Sequence, residues 1–123
     1  LIILDADILI EIYDKESKIG ESAFKKIMES GDTFCTTAIN LHEVLYGLIK
    51  YGRPSGYVAQ LPILDYSKED AILAAELELA SEGKGKKIAR IDAMVAAITI
   101  NSNARLFTNN KKHFSGIEKL EIF

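Results

Sequence analysis

The chain has 123 residues, 48% apolar and 27% charged, with a formal net charge of −3. That balance excludes disorder over most of the length and supplies enough apolar surface for one core, so a single domain spanning 1–123 is expected. The lone cysteine, Cys35, cannot close an internal disulfide, and the longest uncharged stretch, Ala93–Ala104, is too short and polar to span a bilayer. A reducing, cytoplasmic setting without a membrane is therefore expected.

Leu1–Leu4 reads as a buried strand; with no basic flank before Asp5 and Asp7, it is not read as a signal peptide. Ile8–Tyr13 reads as a short helix. Ser22–Ser30 reads as an amphipathic helix with Ala23, Phe24, Ile27 and Met28 on one side, stopped by Gly31. Thr33–Thr36 is a short strand, followed by a helix over Ala38–Lys50 with Leu41, Val44, Leu45 and Leu48 on its apolar face. Pro62–Tyr66 is another strand. Ser67 is suited to cap the long helix after it, with Ile72, Leu73, Leu77 and Ala80 as its apolar stripe and Gly83 as its end. Asp92–Asn101 is a helix of small and branched apolar residues, expected to be buried on most sides. Arg105–Thr108 and Leu120–Phe123 read as strands, with a turn or short helix over Lys111–Ser115 between them. Strands alternating with helices predict a three-layer α/β/α domain with a mainly parallel five-stranded sheet.

In open parallel sheets ligands sit beyond the carboxyl ends of the strands. Acids and amides recur there: Asp5 and Asp7 after the first strand, Glu43 in the helix after the second, Asp92 at the start of the buried helix, and Asn109 and Asn110 after Thr108. Singly, each has a plain structural explanation. Asp5 and Asp92 suit helix N-caps, and Glu43 suits an exposed helix position. Together they suggest one acidic site. If Asp5, Glu43 and Asp92 converge, one must take up a proton or a cation must neutralise them. With no His or Cys in the set, an all-oxygen site points to Mg²⁺ or Mn²⁺ and to chemistry on phosphate esters.

Four segments carry a family likeness: Leu4-Asp5-Ala6-Asp7-Ile8-Leu9-Ile10, Thr36 to Leu48 around Glu43, Ile91-Asp92-Ala93-Met94-Val95-Ala96-Ala97, and Leu106 to Phe114 around Asn110. In this order and length the chain resembles the PIN-domain ribonucleases, and specifically the short VapC-type toxins of prokaryotic toxin–antitoxin pairs. The resemblance implies a five-stranded parallel sheet and a metal-dependent endoribonuclease that uses metal-activated water and leaves a 5′-phosphate. It also implies an antitoxin partner and a homodimer. Asp5, Glu43 and Asp92 take the metal-ligand positions, and Asn110 takes a fourth, usually acidic, position where an amide cannot serve as a charged ligand. Asp7, Thr108 and Asn109 are expected to support them.

Charge is unevenly spread: residues 84–113 hold seven basic side chains against the single acid Asp92. Among them Lys84, Lys86, Lys87, Arg90, Lys111 and Lys112 are candidates for RNA backbone contacts. His42 is expected on the surface, His113 in a loop contact, and Cys35 in the core. Tyr46, Tyr51 and Tyr57 suit packing against the dimer partner or antitoxin.

Other readings share parts of this pattern. Leu4-Asp5-Ala6-Asp7 also has the strand-then-Asp-x-Asp form of an aspartyl-phosphate phosphotransferase, which needs a late acid and a lysine after a strand. A phospho-receiver domain would use Asp65. A third alternative is a catalytically weak or inactive PIN fold kept as an RNA- or protein-binding module, which Asn110 favours.

Overall fold

The computed structural model describes residues 1–123. Five strands form one sheet: β1 (Ile2–Leu4), β2 (Phe34–Thr37), β3 (Ile63–Leu64), β4 (Arg105–Phe107) and β5 (Glu121–Ile122). Their order is β3-β2-β1-β4-β5, and every adjacent pair is parallel. The helices are α1 (Ala6–Leu9), α2 (Lys18–Ser30), α3 (Ala38–Lys50), α4 (Gly56–Ala59), α5 (Lys68–Gly83) and α6 (Arg90–Asn101). No helix is long and apolar enough to cross a membrane.

Strand alternation assigns the two faces. Ile2 and Leu4 of β1 join Ile8, Leu9, Ala23, Ile27, Val44, Leu48 and Val58, the inward residues of α1 to α4. Ile3 points the other way, into Cys35, Val95, Ala96, Ile98 and Leu106. Outside that layer α5 packs on α6 through Ala74, Ala93 and Ala97. Small side chains let α6 lie between the sheet and α5, which explains the burial of Ala93 and of Val95 to Thr99. Ile2, Ile3 and Leu4 are all within 1% of full burial, each a gain of about 1.5–3 kcal/mol. The expected three-layer architecture is thus present.

Several boundaries differ from the sequence reading. The first helix starts at Ala6, and Ile10–Asp14 continues it with a wider π-type turn, in which Lys15 N–H donates to the Ile10 carbonyl at 2.9 Å. Helix α2 begins at Lys18 rather than Ser22, because Ser17 Oγ caps it by accepting from Gly20 N–H at 3.0 Å. Its side chains Phe24 and Met28 are exposed, so only Ala23 and Ile27 of the expected stripe enter the core. Helix α5 is capped as expected: Ser67 Oγ accepts from Asp70 N–H, and Asp70 accepts in return from Ser67 N–H. Its inward residues are Asp70 and Ala74, with Leu73 and Leu77 partly covered, whereas Ile72 and Ala80 face solvent. Asp70 is satisfied in its buried position by Asn101 Nδ2 at 2.8 Å.

Helix α6 opens at Arg90, two residues before Asp92. Its first turn is closed by Ala93 N–H on the Ala89 carbonyl at 3.0 Å, so Asp92 sits within the first turn and is not the N-cap. Strand β1 is flanked by β2 on one side and β4 on the other. The strand order therefore reverses around β1, leaving a crevice beyond the carboxyl ends of β1 and β4.

Candidate active site

The crevice is organised from the end of β1. The Leu4 carbonyl accepts from two buried donors, Thr36 Oγ1 at 2.7 Å and Asn40 Nδ2 at 3.2 Å. These come from β2 and α3, so the backbone entering Asp5 is tied to both. Asp5 then caps α1, its Oδ1 accepting from Ala6 N–H at 3.0 Å. Its Oδ2 accepts from the Thr108 hydroxyl at 2.8 Å, just past the end of β4. Asp7 reaches the same exit, its Oδ2 accepting from Asn109 N–H at 2.8 Å. The Thr108 oxygen, its proton committed to Asp5, accepts from Asn110 N–H at 3.0 Å. The first helix and the exit of β4 are thus latched together by two carboxylates and one hydroxyl.

A cleft of about 320 Å³ opens over this latch. Asp5, Asp7, Glu43 and Asp92 border it, with Asn40, Asn110 and His113. The three acids named as candidate ligands therefore come from α1's cap, α3 and α6 to one concavity. Burial pushes the Asp5 carboxyl up to about 6; nearby Asp7 and Asp92 push the same way, while the bonds from Thr108 and Ala6 oppose. Burial also raises the Asp92 carboxyl above its ordinary range, with His113 opposing. No three of the chain's carboxylates, imidazoles or thiols stand close enough to hold a metal ion between them. Glu43 is exposed, on the solvent side of α3.

The supporting residues divide. Thr108 is buried and contacts Asp5 directly. Asn109 contributes its backbone N–H to Asp7, and the residue borders a different cavity beside Lys26 and Phe107. Asn110 lines the cleft and is exposed. Two cleft residues were not placed at the site from sequence. Asn40 is buried on α3, three residues before Glu43, and that i,i+3 spacing was the available signal. His113 lies with Nδ1 3.6 Å from Asp92 Oδ2, brought there by the short helical turn Lys111–Phe114 whose Phe114 is anchored in the core. Chain separation hid that pairing. His42 is exposed, and Cys35 is buried with its thiol pushed up to about 11 by burial.

The basic residues also divide. Arg90 is engaged by Glu78 of α5 through two bonds of 3.0 and 3.1 Å, and Lys87 lies 3.6 Å from Glu82. Lys84, Lys86, Lys87 and Lys112 border a second cavity, which adjoins the acidic cleft and shares Asp92 and His113 with it. Lys111 borders neither. Asp65 is exposed beyond the edge strand β3 and outside the cleft, so the receiver arrangement is not built. No lysine borders the acidic cleft, which removes the group an aspartyl-phosphate phosphotransferase needs.

Comparison with known proteins agrees with this geometry. The PIN domain model matches residues 2–120. The chain is 29% identical over 102 residues to Ribonuclease VapC2 of Rickettsia felis, covering 77% of this chain and 76% of that protein. It is 27% identical over 95 residues to the tRNA(fMet)-specific endonuclease VapC of Salmonella typhimurium, covering 72% of each. It superposes on the crystal structure of VapBC2 from Rickettsia felis bound to a DNA fragment from their promoter with a TM-score of 0.84 at 26% identity, over 99% of this chain and 96% of that one. On a match spanning nearly its full length, with its acids gathered at the reversal point of a parallel five-stranded sheet, the chain belongs to the PIN domain family.

Proposed function

We propose that this chain is an endoribonuclease that hydrolyses RNA phosphodiester bonds and serves as the toxin of a toxin–antitoxin pair. One observation carries the chemistry: Asp5, Glu43 and Asp92, remote in sequence, border a single cleft. The relatives named as ribonucleases supply the substrate class, and the relatives found as VapBC complexes supply the antitoxin partner.

The donor set suits a hard divalent cation. The Asp5 and Asp92 carboxyls are both displaced upward by burial, and the cleft holds no lysine or arginine to neutralise them. The candidate ligands Asp5, Glu43 and Asp92 offer only oxygen, and Mg²⁺ needs only one or two protein carboxylates. Asp5 and Asp92 would hold Mg²⁺ or Mn²⁺, with Glu43 beside them. When bound, such an ion neutralises charge on a phosphodiester and activates water for in-line attack. The chain's own part is positioning. Thr108 and Ala6 fix the Asp5 carboxylate, while Thr36 and Asn40 fix the backbone that presents it. Glu43, open to solvent at the rim, adds a third carboxylate to the cleft. The Asn110 amide donates from Nδ2 to a phosphate oxygen.

In the same reading the chain works in the cytoplasm as a homodimer inhibited by its antitoxin. Tyr46, Tyr51 and Tyr57, exposed by 64, 72 and 74%, offer aromatic surface for protein partners. The second reading, a PIN fold acting only as a binding module, is favoured by the lack of a preformed three-carboxylate group. Cleavage separates the two. A mixed RNA pool is incubated with Mg²⁺ or Mn²⁺, with and without chelator, using wild type, Asp5→Asn and Asp92→Asn. Cleavage by wild type alone, abolished by chelation, is expected. Wild-type-like cleavage by both variants overturns the assignment, and inactivity of folded wild type favours the binding module.

A further inference from the structure

The second cavity, about 770 Å³ in volume, lies between α5, the loop that follows it and the turn at 111–119. Its volume is within the range of small-ligand sites, and its walls combine apolar Leu77, Ile88 and Ile117 with a rim on which five lysines outnumber the acids Glu76, Asp92 and Glu118. Two rim lysines lean across the mouth. Lys84 Nζ lies 3.4 Å from the Gly116 carbonyl, and Lys86 Nζ lies 2.8 Å from Ser115 Oγ. Neither has a carboxylate partner, in contrast to Lys87 and Arg90, whose charges are taken by Glu82 and Glu78. Lys112 borders the same cavity. Asp92 and His113 form the partition with the acidic cleft, so a strand lying across the cleft continues into this chamber.

We infer that this chamber is a subsite for the nucleotide flanking the scissile phosphate, in which Lys84, Lys86 and Lys112 hold a phosphate and the apolar wall receives the base. The inference rests on the RNA-cleaving reading of the adjoining cleft. A single strand suits the chamber better than a duplex, because only an unpaired base reaches an apolar recess. A protein ligand would use the apolar wall without needing three unpaired ammonium groups.

The test measures binding rather than cleavage. A fluorescein-labelled single-stranded RNA is titrated in chelator, from 0.1 to 1 M salt, against wild type and Lys84→Gln/Lys86→Gln/Lys112→Gln. All three lysines are exposed, so the variant folds, which circular dichroism verifies. At about 0.7 per phosphate contact on a single strand, losing the one phosphate held lowers the slope of log affinity against log salt by about 0.7. Affinity falls about 5-fold at 0.1 M salt and converges on wild type near 1 M. Lysine-to-arginine substitution at the same positions retains binding. Equal affinity and slope for wild type and glutamine variant overturn the subsite while leaving RNA cleavage by wild type standing. Weakened binding with an unchanged slope also overturns it, since phosphate contact is then absent. Wild type that neither binds nor cleaves RNA with divalent ion removes both the subsite and the reading beneath it.

Discussion

Asp5 makes the acidic cleft a liability for folding, and pH exposes the size of that liability. Its carboxyl shifts from an ordinary 3.8 to about 6 in the folded chain, chiefly through burial. A raised folded value means that the native state binds the proton more tightly than the unfolded state. Stability of the metal-free protein therefore rises as pH falls through 6, and the penalty is fully present above it. Between pH 8 and pH 5 the gain from Asp5 is about tenfold in the folding equilibrium, or about 1.4 kcal/mol. For a domain of this size that is a rise of about 5 °C in Tm. Asp92 adds a contribution of the same sign. Asp32, Glu11 and Glu78 are held below their ordinary range by hydrogen bonds, so their contributions stay intact in this window and are lost only at lower pH. The assay is urea or thermal unfolding in chelator at pH 8, 7, 6 and 5, comparing wild type with Asp5→Asn. Wild type gains on Asp5→Asn by about 1.4 kcal/mol as pH falls from 8 to 5. A constant difference between the two proteins across that range refutes the account of a buried, destabilising carboxylate.

Four further outcomes are expected. At pH 7.5, saturating Mg²⁺ or Mn²⁺ raises the Tm of wild type and leaves that of Asp5→Asn unchanged in differential scanning fluorimetry. Thr108→Val removes the donor to Asp5 Oδ2 and the acceptor for Asn110 N–H; it costs about 1–3 kcal/mol in denaturant unfolding and lowers the RNA cleavage rate. Gly20→Ala places a Cβ 2.3 Å from the Glu11 carbonyl oxygen and costs about 1–3 kcal/mol or more, whereas Gly47→Ala, in open space on α3, stabilises by about 0.5–1 kcal/mol in the same assay. Cys35 stays unreactive to an aromatic disulfide reagent in the native protein and reacts on unfolding, because the thiol is buried and held to about 11.

The contrast between the two cavities bears on how the chain handles a polyanion. The acidic cleft repels phosphate unless a cation is present, while the adjoining lysines attract it. The ion pairs of Arg90 with Glu78 and Lys87 with Glu82 withhold two cations from that surface, so the positive rim is smaller than the count of basic residues suggests.

Local signals determined much of this protein. Short branched runs bounded by acids specified β1, Ser67 specified the start of α5, and the small residues of Ala93–Thr99 specified a helix buried on most sides. Strand–helix alternation then specified the parallel sheet, and the acids after its strands pointed to residues that border one cleft. These features were legible because burial and capping depend on residues close in the chain. What the sequence left open were contacts between distant segments. The Ser17 cap moved the start of α2, and Asn40 and Thr36 were assigned to the site only by their bonds to Leu4. His113 met Asp92, and the basic residues sorted into paired and unpaired, only when α5, α6 and the 111–119 turn came together. A side chain's type is written in one position, but its solvation and partners are set by whatever the fold brings beside it.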